Sequence, residues 1–452
     1  MSVESSEAAA DPRGQRTSQV RGAVKPQSSL VFALVALAAF GLYWASSYRL
    51  NEREGTKHFA ADTWFYTTLA QGNVFDRMAD EPDLARIFRF HPTTVVMAAA
   101  WMQILSPLTR WFEPLYLLKA MFAAVGAVGV WAAMWGFAAV VPRGQAILWG
   151  LIYASSLGIW YFSSIEESKI VTATLSSLYI AAYLHLRNRW MTGSAVLLTA
   201  ILLLACLNEI VAGFLVIIPV VDTLVRRGRE FRHSSWIAWH ALAGPVALAI
   251  LEGIGRGWTA AAGSHPEGAT HFSMLLWYIS QNYFTLESLY AFAVRWLFIN
   301  IAAPEPRADH WADPSINYGG DFKPELENYF SSPVSVSLVV MFALILVVAV
   351  WWRQRSERAD NLAGILPALL AYALLRSTFF FIFNSKECLL FSSSVTLAHL
   401  LMVGIPFVAS NFPPKRTALL VFAILLLMVN GAFIAGDPRL LVYHWGEITA
   451  AH

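Results

Sequence analysis

The chain is short of charge and of cysteine, and each shortage narrows what it can be. Only 14% of its 452 residues are Asp, Glu, Lys or Arg, whereas soluble domains carry about 25%. That excludes an ordinary water-soluble globule. The two cysteines, Cys206 and Cys388, lie far apart in or beside apolar runs. They show no metal-ligand spacing and read as small buried hydrophobes. A Walker loop, a dinucleotide fingerprint, zinc-type Cys/His spacing and a nucleophile elbow are all missing, which counts against nucleotide-driven transport and hydrolase chemistry. No internal repeat or soluble domain stands out. The net charge of +2 does not point to nucleic acid, because membrane proteins keep basic loops for topological reasons.

What the chain has instead is apolar length. It is 57% hydrophobic with a mean hydropathy of +0.51, and runs of membrane-spanning length recur from Ser29 to Ala435. The expectation is an all-α, multi-pass membrane protein of about eleven to thirteen transmembrane helices. Its 18 tryptophans are expected in belts at the two interfaces.

Residues 1–28 lack periodicity and are expected to be a disordered cytoplasmic tail, with Arg13, Arg16, Arg21 and Lys25 holding it inside. A transmembrane domain over 29–436 follows, and 437–452 is expected to be an external tail. The first span covers Leu30 to Ser47, and a first external loop covers 48–91. Within it, Asp62 to Asp80 is expected to lie along the interface as a helix. Apolar runs at Thr93–Leu108, Leu115–Val140 and Ala146–Phe162 precede the polar break Ile165-Glu166-Glu167-Ser168-Lys169. If Asp62 and Glu166 face the same side, an even number of crossings separates them. One of these three runs is then re-entrant or interfacial.

The run from Ala195 to Val225 is too long for one span and carries Asn208-Glu209 at its centre. Two short legs meeting there keep the carboxylate out of hydrocarbon. Arg226, Arg227, Arg229 and Arg232 then mark cytoplasm. A long external loop is expected over 255–332. From Pro304 onward it carries Glu305, Asp309, Asp313, Asp321, Glu325 and Glu327 against Arg307 and Lys323.

Asp62-x-x-x-Tyr66-x-x-x-Ala70 after one N-terminal span, with His91-Pro92 before the next, resembles the first external loop of the C-type glycosyltransferase (GT-C) superfamily. That superfamily includes protein O-mannosyltransferases, aminoarabinose transferases and oligosaccharyltransferase catalytic subunits. Glu166 and Glu167 resemble its second acidic site. The chain departs from it at Thr63, where many members have Glu, and at Thr93, where they have a second proline. The resemblance implies transfer of a sugar from a polyprenyl-phosphate donor to a lipid, glycan or protein acceptor. The implied setting is the periplasmic face of a bacterial inner membrane.

On that reading Asp62 and Glu166 are the catalytic acids, with Asp62 as the base that takes the acceptor's proton. Asp62 equally suits an N-cap of the interfacial helix. Tyr66 lines the sugar pocket or anchors at the interface. His91 holds the donor phosphate or a divalent cation (Mg or Mn), with Asp62 and Glu166 as its other candidate ligands, or is a satisfied loop residue. Glu167 positions the acceptor or caps the next helix. Glu209 needs a reason to lie in an apolar run. Arg376 and Lys386 are candidate phosphate contacts, or they snorkel. The rival reading is a transporter or flippase for a lipid-linked or small polar substrate, built around midplane residues such as Glu209 and Arg376.

Overall fold

The computed structural model describes residues 26–54, 65–66, 88, 90–187, 192–227, 235–261, 275–276, 279–280, 284–303, 329–330, 332–353, 364–385, 388–410 and 412–435. Among the described residues every regular element is a helix. The tail 1–25, the C-terminal tail and most of the two external loops lie outside them, and so do Asp62 and Lys386.

The first helices are α1 (Pro26–Glu54), α2 (Pro92–Leu105), α3 (Pro114–Ala138), α4 (Arg143–Ser155), α5 (Leu157–Ser164), α6 (Lys169–Leu186) and α7 (Thr192–Asn208). After a 3₁₀ segment at Ile210–Val216 come α8 (Ile217–Arg227), α9 (Ser235–Ala241), α10 (Ala243–Ala261) and α11 (Leu286–Ala293). A π-helical turn at Val294–Ile299 continues α11. The chain closes with α12 (Pro333–Arg353), α13 (Ile365–Asn384), α14 (Cys388–Ser392), α15 (Thr396–Ala409) and α16 (Lys415–Ala435). Helices α1, α2, α3 and α12 each begin on a proline. Its missing N–H would have no intrahelical partner there anyway.

Six of the described helical stretches are long and apolar enough to cross a membrane, or seven if the bent pair α4–α5 is one span. This is a multi-pass α-helical membrane protein. Helix α3 stands in the middle: 83% of its apolar window is buried, against 22% for α1 and α12. A helix apolar all round fits only such an interior position or lipid. It packs close to α6 at Gly136, where a Cβ would stand 3.3 Å from Ala181 Cα.

Basic residues mark helix termini at both ends of the bundle, more of them at one. Arg143, Arg187, Arg226, Arg227, Arg353, Lys415 and Arg416 lie at one end, called here the basic end, whereas Arg49, Arg53 and Arg110 lie at the other, where Trp44 and Tyr48 meet Tyr116. At the basic end Asp222 receives Arg187 and Arg226, each at 2.9 Å, and the Tyr183 hydroxyl at 2.6 Å.

Several expectations need correction. Helix α1 runs to Glu54, so the first loop starts later than residue 48. Its early N-terminus, at Pro26, shortens the tail by a turn's fraction. Helix α2 does not act as a crossing. His91 at its start reaches Asn208, and Trp101 near its end donates to Leu117 O in the opening turn of α3, so both ends lie at the end opposite the basic one. Val96, Ile104 and then Trp111 on this stretch are exposed apolar residues, as in an interfacial segment. That leaves α3 and α4–α5 between the first loop and Glu166, an even number of crossings.

The long loop is not wholly external either. Residues Val294, Trp296, Ile299 and Ile301 are buried in the bundle. The tryptophans are likewise not confined to belts, because Trp149, Trp160 and Trp296 are in the core. Trp160 lies there because its indole N–H has a partner, Ser46 Oγ at 2.8 Å. Cys206 is buried, as expected of a small hydrophobe.

Candidate functional site

The polar residues at the end opposite the basic one form a connected, buried chain. Its centre is the turn between α5 and α6, where Ile165 is extended and Glu166 and Glu167 stand outside either helix. Being off the helix, the two adjacent carboxylates can take different partners. Glu166 Oε2 meets Lys119 Nζ at 3.3 Å, with both side chains fully buried. Glu167 Oε1 accepts from Ser168 Oγ at 2.9 Å. Ser168, the N-cap of α6, makes no side-chain cap.

Lys169 is buried too, with its ammonium 4.5 Å from the centre of the Phe391 ring, and it pairs with no acid among the described residues. A cation over an aromatic face is held there electrostatically.

Asn208 ties this turn to two other elements. Its Oδ1 accepts from Thr94 N at 3.1 Å and Thr94 Oγ1 at 2.5 Å, while its Nδ2 donates to Ser168 O at 3.1 Å and Thr172 Oγ1 at 2.9 Å. All of its amide hydrogen-bonding groups are thereby engaged. The Asn208 carbonyl accepts from His91 Nδ1 at 2.6 Å. A carbonyl can only accept, so His91 carries its proton on Nδ1 here.

Directly after Asn208 the chain reverses. Glu209 is extended, with φ −155° and ψ 108°, and α8 returns to the basic end, where Asp222 meets Arg187. The two short legs expected from the sequence are therefore present. Glu209 accepts a short hydrogen bond from Arg376 Nη2 of α13. Arg376 is fully buried, which rejects snorkelling.

Tyr66 closes the near side. It is buried, which rejects the role of interfacial anchor, and packs edge-on to Phe122 with ring centres 5.5 Å apart. Phe122 lies one helical turn beyond Lys119 on α3. Tyr66 thus packs on the helix that carries Lys119, one turn from it, although the two are distant in sequence.

Three buried acids, Glu166, Glu167 and Glu209, and three buried cations, Lys119, Lys169 and Arg376, lie on these elements, and Arg295 of the π-helical turn is buried as well. Pairing, as in Lys119–Glu166 and Arg376–Glu209, is what makes such charges tolerable away from water. Lys119 and Lys169 were not singled out from the sequence. The signal was available for Lys119, a lone lysine in an apolar run, since an ionisable residue there needs a reason. Among the described residues no three His, Cys, Asp or Glu side chains lie close enough to share an ion. Glu166 is engaged by an ammonium and His91 Nδ1 by a carbonyl, and Asp62, the third candidate ligand, lies outside the described residues. Compared with family models, with curated proteins and with solved structures, the chain matches none.

Proposed function

We propose that this protein is a membrane glycosyltransferase that moves a sugar from a polyprenyl-phosphate donor to an acceptor at the outer, non-basic face. The observation that carries this reading is the buried Lys119–Glu166 pair at a turn that also buries Glu167 and Lys169, with Tyr66 packed on Phe122 one turn along from Lys119. These residues sit at the end opposite the basic one. The positive-inside rule puts that basic end in the cytoplasm. In a bacterium the site would then open toward the periplasm.

Chemically, the acceptor hydroxyl loses its proton as its oxygen bonds to the anomeric carbon. The carbon–oxygen bond to phosphate breaks on the opposite face, and the sugar inverts. Asp62, four residues before Tyr66, is the proposed base. Glu166, held by Lys119, would orient the acceptor. Lys169, the cation that pairs with no described acid, would meet the leaving phosphate, whose negative charge grows as the bond breaks.

A specific observation favours a second reading. Helices α4 and α5 meet at a 59° bend at Ser156, and discontinuous helices of this kind build substrate sites in transporters. A flippase of lipid-linked sugar would use the same polar cluster without breaking the glycosyl bond.

The test is turnover by purified protein offered a panel of polyprenyl-phosphate sugars, wild type against Asp62→Asn. Loss of a general base should lower turnover by about 10²-fold or more. A folded Asp62→Asn protein with unchanged transfer would remove Asp62 from that role.

A further inference from the structure

The Glu209–Arg376 pair stands slightly apart from the Lys119–Glu166 turn, and its hydrogen-bonding is incomplete in an instructive way. One guanidinium nitrogen, Nη2, donates to Glu209 Oε1. The remaining Arg376 nitrogens, Nε and Nη1, and the second carboxylate oxygen, Glu209 Oε2, are buried and have no hydrogen-bond partner among the described residues. Phe380 lies 5.1 Å from the guanidinium carbon and covers its face, and Phe391 stacks on Phe380 with centres 4.1 Å apart. What is left without a partner is therefore the edge of the pair, with donors on one side and an acceptor on the other.

A buried polar edge of this composition selects its ligand by chemistry. A phosphate could take the guanidinium donors, but it would also face the Glu209 carboxylate and add net charge to an apolar interior. A neutral group with several hydroxyls fits both halves, because each hydroxyl can accept from Arg376 and donate to Glu209. We propose that the Glu209–Arg376 edge binds the hydroxyls of the donor's sugar, leaving the phosphate to Lys169. This rests on the glycosyltransferase reading and replaces the expectation that Arg376 contacts phosphate.

The test is a binding titration on the purified full-length chain in detergent, using polyprenyl-phosphate mannose and polyprenyl-phosphate glucose beside sugar-free polyprenyl phosphate. The double variant Glu209→Leu/Arg376→Met removes both charges together, a change that buried ion pairs often tolerate without loss of folding. Glu209→Gln, which keeps the side chain's shape, is the second variant.

The expected result is that wild type binds at least one sugar-bearing lipid more tightly than sugar-free lipid. Both variants should lose that advantage by about 10-fold or more, as for hydrogen bonds to charged groups. Affinity for sugar-free polyprenyl phosphate should stay within about two-fold of wild type. Equal loss for all three lipids would assign Arg376 to phosphate and overturn the proposal. Unchanged binding of all three would reduce the pair to a brace between helices and also overturn it. If wild type binds sugar-free lipid but gains nothing from the sugar, this inference alone fails. A wild type that binds none of the lipids removes the glycosyltransferase reading as well.

Discussion

A carboxylate and an ammonium that are both sealed from water, as Glu166 and Lys119 are, hold each other in place because either alone would be a buried charge. Removing one partner of such a pair typically destabilises by about 3–5 kcal/mol, whereas removing both can be nearly neutral. Lys119→Met is therefore expected to lower the melting temperature in detergent well below that of Lys119→Met/Glu166→Gln. Equal melting of the single and double variants would mean that the pair is not coupled.

At this scale the sequence was readable wherever a charge interrupted an apolar run. Glu166, Glu167, Glu209 and Arg376 stood out on that ground, and all four are buried and partnered. What a run of letters does not disclose is the partner. Glu209 and Arg376 are 167 positions apart, and Lys119 meets Glu166 only because α3 and the α5–α6 turn are neighbours. Asp62 and Lys386 lie outside the described residues, so their places in the site rest on the sequence alone.

Among the elements, the broken helix α4–α5 shows how a bend is sustained inside a bundle. The break frees backbone groups that cannot find water in an apolar interior. Leu157 N donates to Ile301 O at 3.1 Å and Gly158 N to Asn300 O at 2.9 Å. Asn430 of α16 completes the junction, giving Nδ2 to Ser155 O at 2.5 Å and to Ile301 O at 2.9 Å, and taking Ala303 N at 2.7 Å. Asn430→Leu is expected to raise amide hydrogen exchange in peptides covering Ser155 to Gly158, with less change in α3. Unchanged exchange there would show that the junction holds without Asn430.

The reversal at Asn208-Glu209 was readable because a carboxylate at the centre of a thirty-residue apolar stretch fits a turn better than a single straight span. The insertion of residues 294–303 was not. Its cause is a set of backbone acceptors offered to another broken helix, and hydropathy carries no trace of that. Likewise α2 and a true span have similar composition. Only the contacts at both of its ends, Asn208 and Leu117, show that it stays on one side.

For the whole molecule, the proposed orientation rests on the larger number of basic helix termini at the end away from the buried cluster. With Cys206 and Cys388 replaced by Ala, a membrane-impermeant maleimide added outside intact cells should label Trp111→Cys, an exposed position at the cluster end. It should spare Arg416→Cys at the basic end. The reverse pattern would invert the topology and place the cluster in the cytoplasm.

The most direct measurement of the account follows one labelled lipid through reconstituted protein. Vesicles carrying a polyprenyl-phosphate sugar, radiolabelled in the polyprenyl chain, and an acceptor extract are sampled for free polyprenyl phosphate and for the leaflet of the intact donor. Sugar transfer predicts release of polyprenyl phosphate by wild type, falling by about 10²-fold in Asp62→Asn. Intact donor crossing to the other leaflet, with no polyprenyl phosphate released, would contradict it and make the cluster a transport site.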